Sequence, residues 1–413
     1  MEDEVVIIGG GVVGLAAANA LLEAGRAVRI LERSRVGAGA SRGNCGLVTP
    51  SHALPLTRPG MVRKVLGWMF REDSPIYVKP RLDLEFLAWS IRFAANCRPG
   101  GLMNAIHGRS ALLESSRDLY VEWIARDGLD CEWETGGLIE VFATDEGAHA
   151  EEETHRILAE HGVETEILDS KELLEREPAL REEMVGGAVY PRDAQLRPDR
   201  LVSELARVVR EKGGQIDESS NVVGLEREGG RVRSVVTDSG RHAASHVVLA
   251  AGAWSPTLAR AFGVKLPIQA GKGYSITTPR PDPCPQHPLL LAEANMAVTP
   301  WPSGLRLGGT MELSGRNDLV RRSRIDALRA GAERFLLAPL GEGRAEEWVG
   351  WRPMTPDELP ILGPSPRDAN VVLATGHGMM GISMAPATAK IVAELVTSGA
   401  AETDLSPYAP DRF

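Results

Sequence analysis

The stretch from Val5 to Glu32 constrains the fold more than any other part of the chain. Val5-Val6-Ile7-Ile8 is an all-apolar, β-branched run, the composition of a strand covered on both faces of a parallel sheet. Gly9-Gly10-Gly11-Val12-Val13-Gly14 follows directly and matches G-x-G-x-x-G. Leu15 to Ala24 is rich in Ala and Leu and reads as a helix closing at Gly25, and Ala27 to Leu31 supplies a second strand. Glu32 ends that strand, 18 residues beyond Gly14. Each part has a physical task. The first glycine permits a tight turn, the second lets the backbone approach a pyrophosphate, and the third lets the helix pack closely on the strand, while the helix N-terminus faces the phosphates. Glu32 is placed to accept hydrogen bonds from ribose hydroxyls. A lone glycine pattern is a weak signal, and a glycine turn ending in a solvated acid would explain one. Strand, turn, helix, strand and acid in register point to a dinucleotide site.

The same stretch could be mistaken for a membrane span, because Val5 to Leu22 carries no charge. Its glycines, Asn19 and the acidic leader Met1-Glu2-Asp3-Glu4 argue against both a span and a signal peptide. At 413 residues the chain suits two domains or one large α/β unit, and 43% hydrophobic residues suffice for a sizeable core. With 46 basic and 56 acidic residues, the net charge of −10 excludes a global nucleic-acid field. Cys45, Cys97, Cys131 and Cys284 form no C-x-x-C pair, so neither a disulfide framework nor a metal site is expected, and a cytoplasmic setting fits.

The segment after the second strand bears on which dinucleotide binds. Gly37-Ala38-Gly39-Ala40-Ser41-Arg42-Gly43-Asn44-Cys45-Gly46-Leu47 is a long loop of small residues, where a chain binding NAD usually continues into a helix. With this loop the sequence resembles the FAD-dependent D-amino acid oxidase/dehydrogenase superfamily, whose members carry a G-A-S-x-x-N-A/C-G element here. The resemblance runs nearly end to end. Gln195 to Pro198 with the following helix, Asn221 to Leu225, His246 to Ser255, Gly350 to Pro353 with Leu359 to Gly363, and Asn370 to Pro386 are each similar to a family segment. Lys272 to Ser275, Gly309 to Ser314 and the loop around Asn44 look more like D-amino acid dehydrogenases than glycine oxidases, with glyphosate-oxidoreductase-like relatives similarly close.

The resemblance implies a D-amino acid oxidase-like fold. A discontinuous, Rossmann-like FAD-binding domain is expected from residues 1–60, 190–255 and 345–413. An α+β substrate-binding domain with an antiparallel sheet is expected from 61–189 and 256–344. Non-covalent FAD would be held by Gly9, Gly11, Val13, Gly14, Glu32 and Arg33, then by Ala40, Ser41, Asn44, Cys45, Gly46 and Leu47. Val222, Ala251 and Gly252 would follow, and finally Gly376, His377, Gly378, Met379, Met380, Gly381, Ile382 and Ser383. Backbone N–H groups at Gly381 to Ser383 would face the flavin's N1/C2=O edge.

Three side chains are candidates for the substrate. Arg352, held between Trp351 and Pro353, offers a rigid fork for a carboxylate, and the resemblance makes this the family's carboxylate-binding arginine. Tyr274 lies on a strand expected to face the flavin, where a phenol could bond the carboxylate; a packing role is as good a reading. His52 follows the loop and is either an active-site or a solvated histidine. Neither His52 nor His377 is assigned as a base. Amine oxidation here is expected to pass hydride from Cα to flavin N5, giving an imino acid and then a 2-oxo acid. The expected substrate is a small amino acid, as a D-isomer or a D-proline or hydroxyproline type. A quinone or electron carrier is expected as acceptor. A peroxide-forming oxidase and a flavin subunit of a hetero-oligomer are the rival readings. Met61 to Arg71 mixes bulky apolar and basic residues at helical spacing, which fits a helix packed on its own domain or a peripheral contact with the cytoplasmic membrane face.

Overall fold

The apolar run Val5–Ile8 lies at the middle of a six-stranded sheet. The order is Ile361–Pro364, Val371–Thr375, His246–Leu249, Val5–Ile8, Val28–Leu31 and Gln215–Asp217. All neighbours run parallel except Ile361–Pro364, which turns back against Val371–Thr375. The computed structural model describes residues 4–68, 76–261, 263–317 and 319–413. All four residues of Val5–Ile8 are buried because both sheet faces are covered. Val5 and Ile7 join one core with Leu15, Leu112, Leu201 and Ile391, and Val6 and Ile8 join another with Val222, Val235 and Leu266.

The second sheet has nine strands. Its main path runs Glu346–Met354, Gln269–Thr278, Gly304–Leu313, Met296–Trp301, Leu289–Leu291, Leu138–Phe142, Gly186–Tyr190, Glu166–Asp169, and Ile76–Val78 joins Gly304–Leu313 from the side. It is antiparallel apart from two pairings, Leu289–Leu291 with Leu138–Phe142 and Gly304–Leu313 with Ile76–Val78. Helix Arg322–Glu333 buries Ile325, Leu328 and Ala332 against its core.

Two elements cross the expected domain boundaries. Helix Pro99–Asp127, expected in the substrate domain, puts Leu112, Leu113, Tyr120 and Trp123 into the core of the parallel sheet. These positions fall on one helical face, and that face packs along helix Gly381–Ser398, where the Tyr120 hydroxyl donates to the Ile382 carbonyl. Strand Glu346–Met354, expected with the nucleotide domain, pairs over its whole length with Gln269 to Thr277 and forms the edge of the nine-stranded sheet. A ten-residue partner offers it a full ladder, so the chain leaves the substrate sheet only after Met354.

Candidate active site

A cavity of about 470 Å³ lies at the C-terminal ends of Val5–Ile8, Val28–Leu31 and Val371–Thr375 and extends to the second sheet. Its nucleotide end is made largely of backbone. A Cβ on Gly9 would lie 2.5 Å from the Ala250 carbonyl oxygen, and one on Gly14 would lie 2.0 Å from the Gly9 carbonyl oxygen. Only glycine lets these segments approach so closely. Glu32 accepts hydrogen bonds from the Gly10 and Ser34 N–H groups, both at 2.8 Å, which fixes its carboxylate on the cavity wall. Ser41 Oγ accepts from the Val12 N–H at 3.0 Å and thereby ties the loop to the first helix. Arg33 stacks on Trp254 with its guanidinium carbon 3.9 Å from the ring centroid.

The loop carrying Asn44 and Cys45 is gripped from both sides. Asn44 Nδ2 donates to the Met379 carbonyl at 3.2 Å, while its Oδ1 accepts from the Gly46 N–H at 2.8 Å. From the nine-stranded sheet, Arg306 Nη1 donates to the carbonyls of Arg42 at 2.9 Å and Asn44 at 2.7 Å. Cys45 Sγ sits where a Cβ on Gly308 would be, 2.2 Å from it, and burial raises its thiol pKa above the usual value. Cys45 therefore fills a slot between the two sheets as a neutral thiol.

The second sheet supplies the charge. Arg352 and Trp348 lie on one face of strand Glu346–Met354 because they are four residues apart. A Cβ on the neighbouring Gly273 would fall 2.5 Å from Arg352 Cζ, so that glycine is the space the guanidinium occupies. Arg352 Nη1 donates to the Thr310 carbonyl at 2.6 Å, and among the described residues no carboxylate pairs with it. Burial lowers its pKa below the ordinary value. Thr310 holds φ of 62°, rare for a β-branched residue, at the irregular register opposite Lys272 and Tyr274.

Tyr274 had two readings, a carboxylate partner and a packing residue, and its contacts match the second. It is among the residues that border the cavity, but it alternates with Gly273 and shares a face with Lys272 and Ile276. Its hydroxyl donates to the buried Glu312 at 2.8 Å, and it belongs to the hydrophobic core under helix Arg322–Glu333. The phenol hydrogen is committed to that carboxylate. His377 borders the cavity, but its Nε2 is 3.0 Å from Thr388 Oγ1, and burial pulls its pKa down to about 4. It locks the turn in which the Gly378 N–H bonds the Pro353 carbonyl.

His52 lies on the cavity wall together with Arg352. Of the other expected residues, Gly11, Val13, Ala40, Leu47, Val222, Ala251, Gly252, Met379, Met380, Gly381, Ile382 and Ser383 all border the cavity. Gly14, Gly46 and Gly376 do not: they stand behind the wall, where a Cβ would strike Gly9, Leu196 and Thr355 respectively. Sequence reasoning missed Arg306, Trp254 and Trp348. The signal for Arg306 was present in the alternation Leu305-Arg306-Leu307-Gly308, which buries the leucines in the sheet core and turns Arg306 and Gly308 to the other face.

These residues fit a flavin dinucleotide: a glycine cradle, an acid at the end of the second strand, and a cavity reaching from that acid to a half-buried arginine. Helix Gly381–Ser398 opens at the cavity, leaving its first backbone N–H groups there.

Comparison with known proteins agrees. A D-amino acid dehydrogenase from Rhizobium johnstonii is 32% identical over 420 residues, covering 99% of this chain and 100% of the relative. The solved glycine oxidase from Geobacillus kaustophilus superposes with a TM-score of 0.79 at 25% identity, covering 100% of this chain and 99% of that one. The fold is also that of L-proline dehydrogenase from P. horikoshii, with a TM-score of 0.74 at 21% identity and coverage of 100% and 98%. The family model for the DAO FAD-dependent oxidoreductases matches residues 4–395, and the chain belongs to that family.

Proposed function

We propose that the protein is an amino acid dehydrogenase that oxidises the Cα–N bond of a small D-amino acid or D-proline analogue. The observation that carries this reading is Arg352, a guanidinium on the wall of a deep cavity whose hydrogen bonds among the described residues go to a backbone carbonyl and the Met311 sulfur. A charge so placed calls for an anionic ligand, and its fork fits a carboxylate. The full-length likeness to a D-amino acid dehydrogenase supports the choice of substrate class.

FAD supplies the two-electron acceptor. The chain's own contribution is position and charge. Arg352 would hold the carboxylate through two N–H groups along one guanidinium edge, with the Thr310 carbonyl fixing the fork. Leu290, Met296, Ala297 and Met379 give the cavity an apolar lining that favours a small apolar side chain and displaces water. N–H groups at the start of Gly381–Ser398 would stabilise negative charge on the reduced cofactor.

The electrons then pass to a quinone or electron carrier. Leu82 is exposed, as are Leu84, Leu87 and Ile91 on helix Leu84–Asn96, and helix Met61–Trp68 exposes Val62, Arg63, Lys64 and Leu66. Both helices contribute to one core cluster, through Val65 on the first and Phe86, Trp89 and Phe93 on the second. This mixture of apolar and basic residues suits a membrane surface. The expected amphipathic stretch to Arg71 continues outside the described residues, and no helix among those described is long and apolar enough to cross a membrane.

Anaerobic mixing with D- and L-amino acids, glycine, sarcosine and both prolines, followed by flavin absorbance, tests the substrate class. A D-amino acid or D-proline analogue should bleach the flavin fastest, and a soluble quinone should reoxidise it well ahead of O2. Rapid reoxidation by air with stoichiometric peroxide would make the protein an oxidase. Bleaching by no amino acid would overturn the reading.

A further inference from the structure

His52 leads from the cavity to a buried carboxyl. Its Nδ1 lies 3.1 Å from Ser51 Oγ. The Ser51 hydroxyl donates to Asp193 Oδ2, and the Ser51 N–H donates to Asp193 Oδ1 at 3.1 Å. A serine has one hydroxyl hydrogen, and here the carboxylate takes it, so the contact with His52 requires the hydrogen on Nδ1. Nε2 is then the bare acceptor of a neutral ring on the cavity wall, and among the described residues no protein group hydrogen-bonds it.

Asp193 is 1% exposed, and among the described residues no cation pairs with it. A buried carboxylate normally has such a partner. Burial raises its pKa to about 7; Ser51 opposes that shift and Glu114 adds to it. Burial lowers His52 to about 4, helped by Arg109 and opposed by Glu140. Arg109 donates two hydrogen bonds to the carbonyl of His52 and pairs with Glu358, and Glu140 contacts His155 and Tyr190. The surroundings thus disfavour an imidazolium but accept a protonated Asp193 near neutrality.

We propose that His52, Ser51 and Asp193 form a proton relay that takes one proton from the substrate's ammonium group and stores it on Asp193. This rests on the amino acid dehydrogenase reading above. An N–H bond of the ammonium breaks as Nε2–H forms. The Nδ1 hydrogen moves to Ser51 Oγ, and the hydrogen already on Oγ moves to Asp193 Oδ2. No electrons change owner between groups: the substrate nitrogen keeps the pair from its broken bond as the lone pair needed to form C=N when hydride leaves Cα. His52 ends neutral in its other tautomer, Ser51 is restored, and Asp193 becomes a neutral acid. No step passes through the imidazolium that the site disfavours. His52 touches the substrate in this scheme, whereas Ser51 and Asp193 act through it.

The test is the pH dependence of anaerobic flavin reduction by the preferred amino acid in the FAD-loaded Asp193→Asn and Ser51→Ala variants. Near pH 7 each should reduce its flavin about 100-fold more slowly than the parent, and above the pKa of the free substrate's amine, where that amine is largely neutral, within about threefold of it. A variant-to-parent ratio that stays constant across pH would overturn the relay while leaving the dehydrogenase reading intact. A parent protein that no amino acid reduces would overturn both. Two variants guard against misfolding, since Ser51→Ala cuts the relay without altering the carboxyl.

Discussion

At its nucleotide end the cavity is walled by main chain: Gly9, Gly11 and the start of Val12–Glu23 come within a dozen residues of one another, and Glu32 follows on the next strand. At its substrate end the wall is made of side chains from distant parts of the chain, with His52, Leu290, Met296, Arg352 and Met379 meeting across two sheets. The first arrangement tolerates no added Cβ at Gly9 or Gly14 but asks little of side-chain identity. The second depends on a few charged groups whose positions are set by glycines on neighbouring strands. On the proposed reading, backbone recognition is broken by adding atoms, whereas substrate recognition would be broken by moving one guanidinium.

Replacing Arg352 separates the two ends most sharply. Arg352→Lys exchanges a bidentate fork for a point charge and should cost about 2–4 kcal/mol in kcat/KM for amino acids. FAD content, read by absorbance after gel filtration, should be unchanged; loss of the flavin would mean that the ends are not independent. A second variant reaches the same group from behind. Gly273→Ala places its Cβ 2.5 Å from Arg352 Cζ and should cost about 2–3 kcal/mol in kcat/KM by displacing the fork, with FAD retained.

His377 connects the ends through its turn, and its contribution to stability depends on pH. Its folded-state pKa of about 4 lies below the unfolded 6.5, so between those values the unfolded chain binds more protons. Stability should therefore fall as pH drops through this window. His377→Gln should remove about 2 kcal/mol of that loss in thermal melts compared at both ends of the window. An unchanged acid limb would mean that other groups govern it. The smallest effect is expected at the nucleotide end. Glu32→Ala removes one charged acceptor and should weaken FAD by about 1–2 kcal/mol in titrations of the apoprotein, leaving the ratio of rates among amino acids unchanged.

The nucleotide end was legible because its determinants are contiguous: a strand, three glycines and an acid cannot be spaced this way without dictating a turn and a phosphate-facing helix. Arg352 was legible through its motif, but that no carboxylate among the described residues pairs with it was not, because that depends on which strands of the nine-stranded sheet are neighbours. Tyr274 shows the limit most clearly. Its strand was recognised, but the side of the sheet it faces depends on a register that shifts between Lys272 and Tyr274. Helix Pro99–Asp127 was legible as helical within the stretch read as the substrate domain, whereas its apolar face meets helix Gly381–Ser398 in the core of the parallel sheet, a contact no local pattern gives. Ser51 and Asp193 are 142 residues apart, and no local pattern joins them.

The position of Val5–Ile8 at the middle of the parallel sheet has a consequence for the chain as it is made. Its partner on one side, Val28–Leu31, is synthesised at once, but its partner on the other, His246–Leu249, comes more than 200 residues later. At ribosomal rates of about 5–20 residues per second, that edge waits roughly 10–50 s. Throughout that interval an apolar, β-branched strand offers an unpaired row of N–H and C=O groups to any other nascent chain. Translation speed between residues 32 and 246 should therefore set the soluble yield, with slow synthesis favouring aggregation and chaperones that shield the N-terminal hairpin-free edge restoring it.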